Sequence, residues 1–191
     1  MHKTRLIFKG VSEIVGTKQL GIIILTDEDQ KRQITIVCDK TMALQIEMRL
    51  RGIIPTGSLL PEVLCKMIAG MSSDPMEINI TGVNDGQYNV VLCCGAGLIE
   101  PVCIRASDAV LLAVIASVPI YIDAELMARQ SVPYDKKARG VALPVNTISN
   151  DMLQNALDKA IIEENYELAA RLRDEQLRRG SSKDAKRNDN E

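Results

Sequence analysis

With 191 residues, 46% of them hydrophobic, the chain can bury the core of one ordinary domain and carry an appendage. A formal net charge of −2 excludes a globally basic nucleic-acid binder and leaves only local patches for phosphate contact. The five cysteines, Cys38, Cys65, Cys93, Cys94 and Cys103, show no C-x-x-C spacing and leave one over in any pairing, which excludes a simple disulfide framework. They read as reduced, mostly buried thiols of a cytoplasmic protein.

The chain opens with His2-Lys3-Thr4-Arg5 and moves straight into strand-like sequence, without the apolar core of a signal peptide. Leu6-Ile7-Phe8 and Gly21-Ile22-Ile23-Ile24-Leu25 are apolar runs. Asp27-Glu28-Asp29-Gln30 then turns the chain into Ile34-Thr35-Ile36-Val37, predicting a hairpin. Asp27, Glu28 and Asp29 read as a solvated turn, not as a metal site. From Met42 to Leu50, one helical face carries Met42, Ala43, Ile46 and Leu50. Asp39 or Thr41 is the candidate cap, and Gly52 stands where a left-handed residue closes the helix.

A second helix is expected from about Ser58. Leu60, Val63, Leu64, Met67 and Ile68 follow the i, i+3, i+4, i+7, i+8 stripe that normally faces a core, with Pro61 tolerated in the first turn and Gly70 at the end. Met76, Ile78 and Ile80 alternate with polar residues, and Asn84-Asp85-Gly86 leads into Tyr88 to Cys93, the strongest hairpin signal in the chain. Gly95-Ala96-Gly97 follows a strand but leads into another, so it reads as a turn and not as a phosphate loop. A strand from Ile99 to Ile104 reaches Arg105-Ala106-Ser107-Asp108-Ala109.

Ser107 is read as the N-cap of a buried helix running through Val110-Leu111-Leu112-Ala113-Val114-Ile115-Ala116, with Asp108 in its first turn. The apolar run from Ala109 to Val118 is shorter than the ~20 residues that cross a bilayer, so no membrane association is expected. Asp123 caps a short helix through Ala124, Leu126 and Met127. Hairpins and helices without regular βαβ alternation predict an α+β fold with a mixed or antiparallel sheet, followed by a C-terminal two-helix hairpin.

Residues 131–150, with Pro133, Gly140 and Pro144, read as a linker after a domain at 1–130. Lys136, Lys137 and Arg139 in it form a basic strip that could contact phosphates. Residues 151–180 form the helical hairpin. Asp151 caps a stripe of Leu153, Ala156, Leu157, Ala160 and Ile161, and Asn165 caps a second helix through Tyr166, Ala169, Ala170, Leu172 and Leu177. Glu167 with Arg171, Asp174 with Arg178 and Glu175 with Arg179 are favourable i, i+4 pairs. Two helices of this size are marginal alone, so they need a partner surface. Residues 181–191 alternate charges without apolar anchors and are expected to be disordered.

Arg105-Ala106-Ser107-Asp108-Ala109, an apolar helix and then Pro119-Ile120-Tyr121 together resemble the signature of the bifunctional-nuclease domain family, with a weaker likeness over residues 5–130. The resemblance implies an oligomeric α+β protein, here a homo-oligomer, that hydrolyses DNA or RNA. It would make Arg105 a phosphate contact, Asp108 a metal ligand or base and Ser107 a residue orienting the backbone, with a divalent metal as cofactor. The chain departs from that family where an Arg-Pro-x-Thr-His-Asp pattern is expected before the second helix. Ile54-Pro55-Thr56-Gly57-Ser58-Leu59-Leu60 keeps the proline but not the basic residue, His or Asp, and Thr41-Met42 replaces a Glu-Ala pair. His2 is the only histidine, and no carboxylate cluster has metal spacing.

Asn165-Tyr166-Glu167-Leu168-Ala169-Ala170-Arg171-Leu172-Arg173-Asp174 is similar to the UVR motif, a helical hairpin of excinuclease B and C subunits and some protease adaptors. That resemblance implies a protein–protein contact through Leu153, Leu157, Ile161, Tyr166 and Leu172. Two functions follow: a nuclease carrying an interaction hairpin, or a non-catalytic oligomeric scaffold that recruits a partner through it.

Overall fold

The computed structural model describes residues 2–13, 20–53, 57–71, 76–95, 100–136, 150–162, 164–167, 169–170 and 172–178. The chain divides into two compact units, residues 1–83 with 88–142 and residues 84–87 with 143–191. The fold class is α+β, as the sequence predicts.

The first unit is built on an eight-stranded sheet. Its strands are β1 (Lys3–Glu13), β2 (Leu20–Asp27), β3 (Arg32–Asp39), β4 (Glu77–Asn84), β5 (Gln87–Cys93), β6 (Val102–Ile104), β7 (Ile120–Asp123) and β8 (Val132–Pro133). They lie in the order β6-β5-β4-β7-β1-β2-β3-β8. β7 runs parallel to β4 and antiparallel to β1, which makes the sheet mixed. The helices are α1 (Lys40–Leu50), α2 (Leu60–Met71), α3 (Ala106–Ala116) and α4 (Ala124–Gln130).

Both predicted hairpins form. Between β2 and β3, Asp27 Oδ1 accepts from the Lys31 and Arg32 N–H groups at 2.8 and 3.1 Å, so the turn residue closes its own loop. Between β4 and β5, Asp85 and Gly86 both take positive φ, 49° and 77°, the conformation a tight twisted hairpin requires. One sheet face carries Leu6, Ile23, Leu25, Ile34, Ile36, Ile78, Ile80, Ile120 and Ile122, packed in a single cluster with Met42, Ile46, Val110, Leu111, Leu112 and Leu126 from the helices. Alternate residues of each strand reach this face, and on the other face of β2 and β3 Ile22, Thr26 and Thr35 are buried as well.

α1 is capped by Asp39, whose Oδ1 accepts from the Met42 N–H at 2.7 Å. It ends on Gly52 at φ 61°. The helix approaches β2 so closely that a Cβ at Gly21 would lie 2.7 Å from Ala43 Cβ. Leu50, expected inward, is instead 52% exposed, and the buried residue of that last turn is Arg49.

α2 departs further from its sequence pattern. Leu60 is 80% and Met67 61% exposed, Val63, Leu64 and Met71 are exposed too, and the buried residues are Glu62 and Cys65. Of the predicted stripe Ile68 packs against the core, while Leu60, Val63, Leu64 and Met67 are exposed. α3 begins at Ala106 with Arg105 as its N-cap residue, so Ser107 is not the cap: it is a buried residue of the first helical turn. β6 is shorter than predicted, with Glu100 and Pro101 outside it, and Ile99 lies outside the described residues. Residues 132–133, inside the stretch read as a linker, form a strand. β8 pairs with β3, and Arg32 donates through Nε to Ser131 Oγ and through Nη2 to Ser131 O, both at 2.6 Å.

In the second unit, α5 (Asn150–Ile162) ends in a turn with Glu164 at φ 56°. The chain is helical again at 166–167, 169–170 and 172–178. Asn165 O accepts from the Ala169 N–H at 2.9 Å, opening that second helical stretch, and Gln176 Nε2 donates to Gln154 Oε1 at 2.7 Å across the pair. Leu153, Leu157, Ala160, Ala169 and Leu172 are buried. Arg178 pairs with Glu175 at 2.8 Å, one turn position closer than the expected Asp174. Leu168, Arg171, Arg179 and residues 181–191 lie outside the described residues, as does the 137–149 stretch.

Candidate functional site

The end of β6 and the end of β3 each deliver the chain into a helix N-terminus. β3 leads through Asp39 into α1, and β6 leads through Arg105 into α3. Arg105 donates through Nε to Asp108 Oδ2 at 2.5 Å and through Nη2 to Asp108 Oδ1 at 3.2 Å. These hydrogen bonds, and then the Asp108 charge, raise the Arg105 guanidinium above its ordinary value, with a smaller contribution from Asp39. The carboxylate at the start of α3 also lies where the helix dipole favours negative charge. The side chains are 71% and 28% exposed, so solvent screens the pair.

Two of the three predicted catalytic residues are therefore joined, and to each other. Both Asp108 oxygens accept from Arg105, so each has one of its lone pairs engaged by that guanidinium. Asp39 Oδ1 is engaged by the α1 backbone. Among the described residues no three His, Cys, Asp or Glu side chains come together as a ligand set. Ser107 is buried in the first turn of α3, which suits a packing role. His2 is held through its backbone, its carbonyl accepting from the Ala124 N–H at 2.9 Å.

Of the basic strip, Lys136 is exposed, while Lys137 and Arg139 lie outside the described residues, as do Ile54, Pro55 and Thr56. Of the five residues predicted for protein contact, Leu153, Leu157 and Leu172 are buried. Ile161 and Tyr166 are exposed, and Ile162 beside them is exposed as well. The five cysteines are free thiols. Burial pushes the Cys38 thiol up to about 11 and raises Cys65 and Cys94, whereas Cys103 is exposed.

Sequence reasoning missed the most buried ion pair among the described residues. Arg49 donates through Nε and Nη2 to Glu62 Oε1 and Oε2 at 2.7 and 2.9 Å, with the side chains only 5% and 8% exposed. Its Nη1 is held by Gln45 O and Oε1 at 2.8 and 2.6 Å. The spacing of 13 residues gives no local signal, because the partners lie on different helices that both pack against α3. On the sheet, Asn79 Nδ2 donates to Glu77 Oε1 at 2.9 Å and to Cys93 Sγ at 3.5 Å, and Lys3 Nζ reaches the same Glu77 oxygen at 3.0 Å. Asn79 first and Lys3 second hold the Glu77 carboxyl below its ordinary value.

Among the described residues no helix is long and apolar enough to cross a membrane. A comparison with curated proteins finds no match. A family model of the bifunctional nuclease domain matches residues 23–135, more than half of the chain. The matched segment takes in Arg49, Glu62, Arg105 and Asp108 and stops before α5. Through that segment the chain belongs to the bifunctional nuclease domain family.

Proposed function

We propose that this member of the bifunctional nuclease domain family is a non-catalytic, oligomeric scaffold of the cytoplasm whose C-terminal helical unit, residues 151–180, recruits a protein partner. The observation that carries this reading is the exposure of Ile161, Ile162 and Tyr166 together at the tip of that unit, with Ile162 at 81%. A small helical hairpin that leaves an aromatic and two branched aliphatic side chains in water suits a partner-binding tip, because such anchors dominate interface energetics. The likeness of residues 165–174 to the UVR motif supports the same role, and the mutual engagement of Arg105 and Asp108 disfavours chemistry at α3.

The test is a pull-down with the tagged full chain beside an Ile162→Ser, Tyr166→Ser double variant. A partner retained by the wild type should fall at least about tenfold in the variant. Equal recovery from both proteins would remove the tip from the interface.

A second reading is hydrolysis of DNA or RNA phosphodiesters with a divalent metal, using Arg105 and Asp108, with Ser107 orienting the backbone and Lys136, Lys137 and Arg139 holding phosphates. It is favoured by family membership and by the two carboxylates, Asp39 and Asp108, that draw on Arg105. Purified protein with magnesium or manganese, incubated with single-stranded DNA and RNA, decides it. Cleavage that disappears in Asp108→Ala would establish this reading over the scaffold. Cleavage unchanged in that variant would sink the assignment of this site, and no cleavage in either protein would sink the reading itself.

A further inference from the structure

Burial sorts the five thiols. Cys38, Cys65 and Cys94 are buried, and burial raises all three above the ordinary thiol value, which leaves them poor nucleophiles. Cys103 is exposed and Cys93 is half-buried.

Strand parity places these two on one face of the sheet. In β5, Val90 and Leu92 belong to the core, and in β6 Ile104 packs against it. Val91, Cys93 and Cys103 alternate with them and so lie on the opposite face. A hydrogen bond agrees: Asn79, which sits between the core residues Ile78 and Ile80 of β4, donates through Nδ2 to Cys93 Sγ at 3.5 Å. The register of β5 and β6 pairs Val91 with Cys103. Cys93, two residues beyond Val91 on the same face, is therefore the diagonal neighbour of Cys103.

We infer that Cys93 and Cys103 form a reversible, peroxide-driven disulfide between β5 and β6. Diagonal neighbours have Cα atoms ~7–8 Å apart, and a disulfide spans up to ~6.8 Å, so the strands must approach by roughly 1 Å. β6 is suited to that movement. It is a three-residue strand at the edge of the sheet, hydrogen-bonded to β5 alone, and Pro101 before it has no N–H to extend the ladder. The same mismatch strains the closed bond and makes it easy to reduce, as a regulatory disulfide must be. Transient bonds of this kind are the ones a reducing compartment admits.

Hydrogen peroxide is the oxidant. The exposed Cys103 thiolate attacks one peroxide oxygen and breaks the O–O bond. Its sulfur becomes a sulfenic acid, and the hydroxide released takes up the thiol proton as water. The Cys93 sulfur then attacks the sulfenic sulfur. The S–S bond forms, and the sulfenic hydroxyl leaves with the Cys93 proton as a second water. Two thiols are oxidised and one peroxide is reduced. Because β6 runs directly into Arg105, closing the bond draws on the entry to α3.

The experiment treats the reduced full chain with a small excess of hydrogen peroxide in the presence of dimedone, a trap for sulfenic acid, and maps the products by mass spectrometry. The wild type should lose two of its five thiols to a bond within one chain, with little trapping, and dithiothreitol should restore both. Cys93→Ser should form no bond and should trap Cys103 at least ~10-fold more heavily than the wild type does. Cys103→Ser changes an exposed side chain, which keeps the test decisive if Cys93→Ser fails to fold, and it should leave Cys93 as a thiol. Equal trapping of Cys103 in wild type and Cys93→Ser overturns the inference. A bond that survives in either variant, a bond that joins two chains, or a wild type that keeps all five thiols overturns it as well.

Discussion

Two arginine–carboxylate pairs in this molecule have nearly the same geometry and opposite settings. Arg105 and Asp108 are three residues apart on one helix start, in water. Arg49 and Glu62 come from two helices and are almost wholly enclosed. The first is screened by solvent, and the second is tied into the packing of α1 and α2. The same contact chemistry therefore serves as a local surface clasp in one place and an orienting lock in the other. The conspicuous pair in the sequence is the weak one.

Breaking the buried pair should have the largest effect. Arg49→Ala leaves the Glu62 carboxylate buried without its main partner and should lower unfolding stability by ~3–5 kcal/mol in urea titrations. The double variant Arg49→Met, Glu62→Leu should recover most of that loss, since apolar replacements of a buried pair are often neutral. A double variant as weak as the single would mean that the pair stabilises beyond its own desolvation.

A smaller loss should come from the seat of α1, which carries Arg49. Gly21→Ala forces a methyl against Ala43 and should cost about 1–3 kcal/mol by thermal unfolding. An unchanged melting temperature would show that α1 can shift outward, and that Arg49 is not held by this approach.

The smallest effect belongs to the exposed pair. Asp108→Ala should reduce stability by no more than about 1 kcal/mol, a loss that shrinks further in high salt. A loss comparable to that of Arg49→Ala would make the α3 clasp a structural lock and erase the contrast between the two pairs.

Much of the fold was legible because its signals are local. Asp27 to Gln30 and Asn84-Asp85-Gly86 encode their turns within four residues, and Asp39 and Gly52 mark the ends of α1 by side chain and backbone conformation. The Arg105–Asp108 clasp is as local, yet the sequence reading assigned the two residues separate roles, and only the structure joins them. The cap at Ser107 was not correctly placed, because a hydroxyl two residues into the helix satisfies the same composition rule while the backbone begins its helix at Ala106. β8 was read as linker because two residues carry no periodicity; their strand exists only through pairing with β3.

The sequence by itself determined the two hairpins and their turns, the helix at Lys40–Leu50 and the α+β class, since periodicity and turn chemistry act between near neighbours. Only the tertiary structure decided which way α2 faces. Periodicity marks a helix's apolar side without saying what will cover it. Glu62, clamped by an arginine 13 positions earlier, lies inward with Cys65 and the partly buried Ile68, while Leu60, Val63, Leu64 and Met67 of the expected core stripe are exposed.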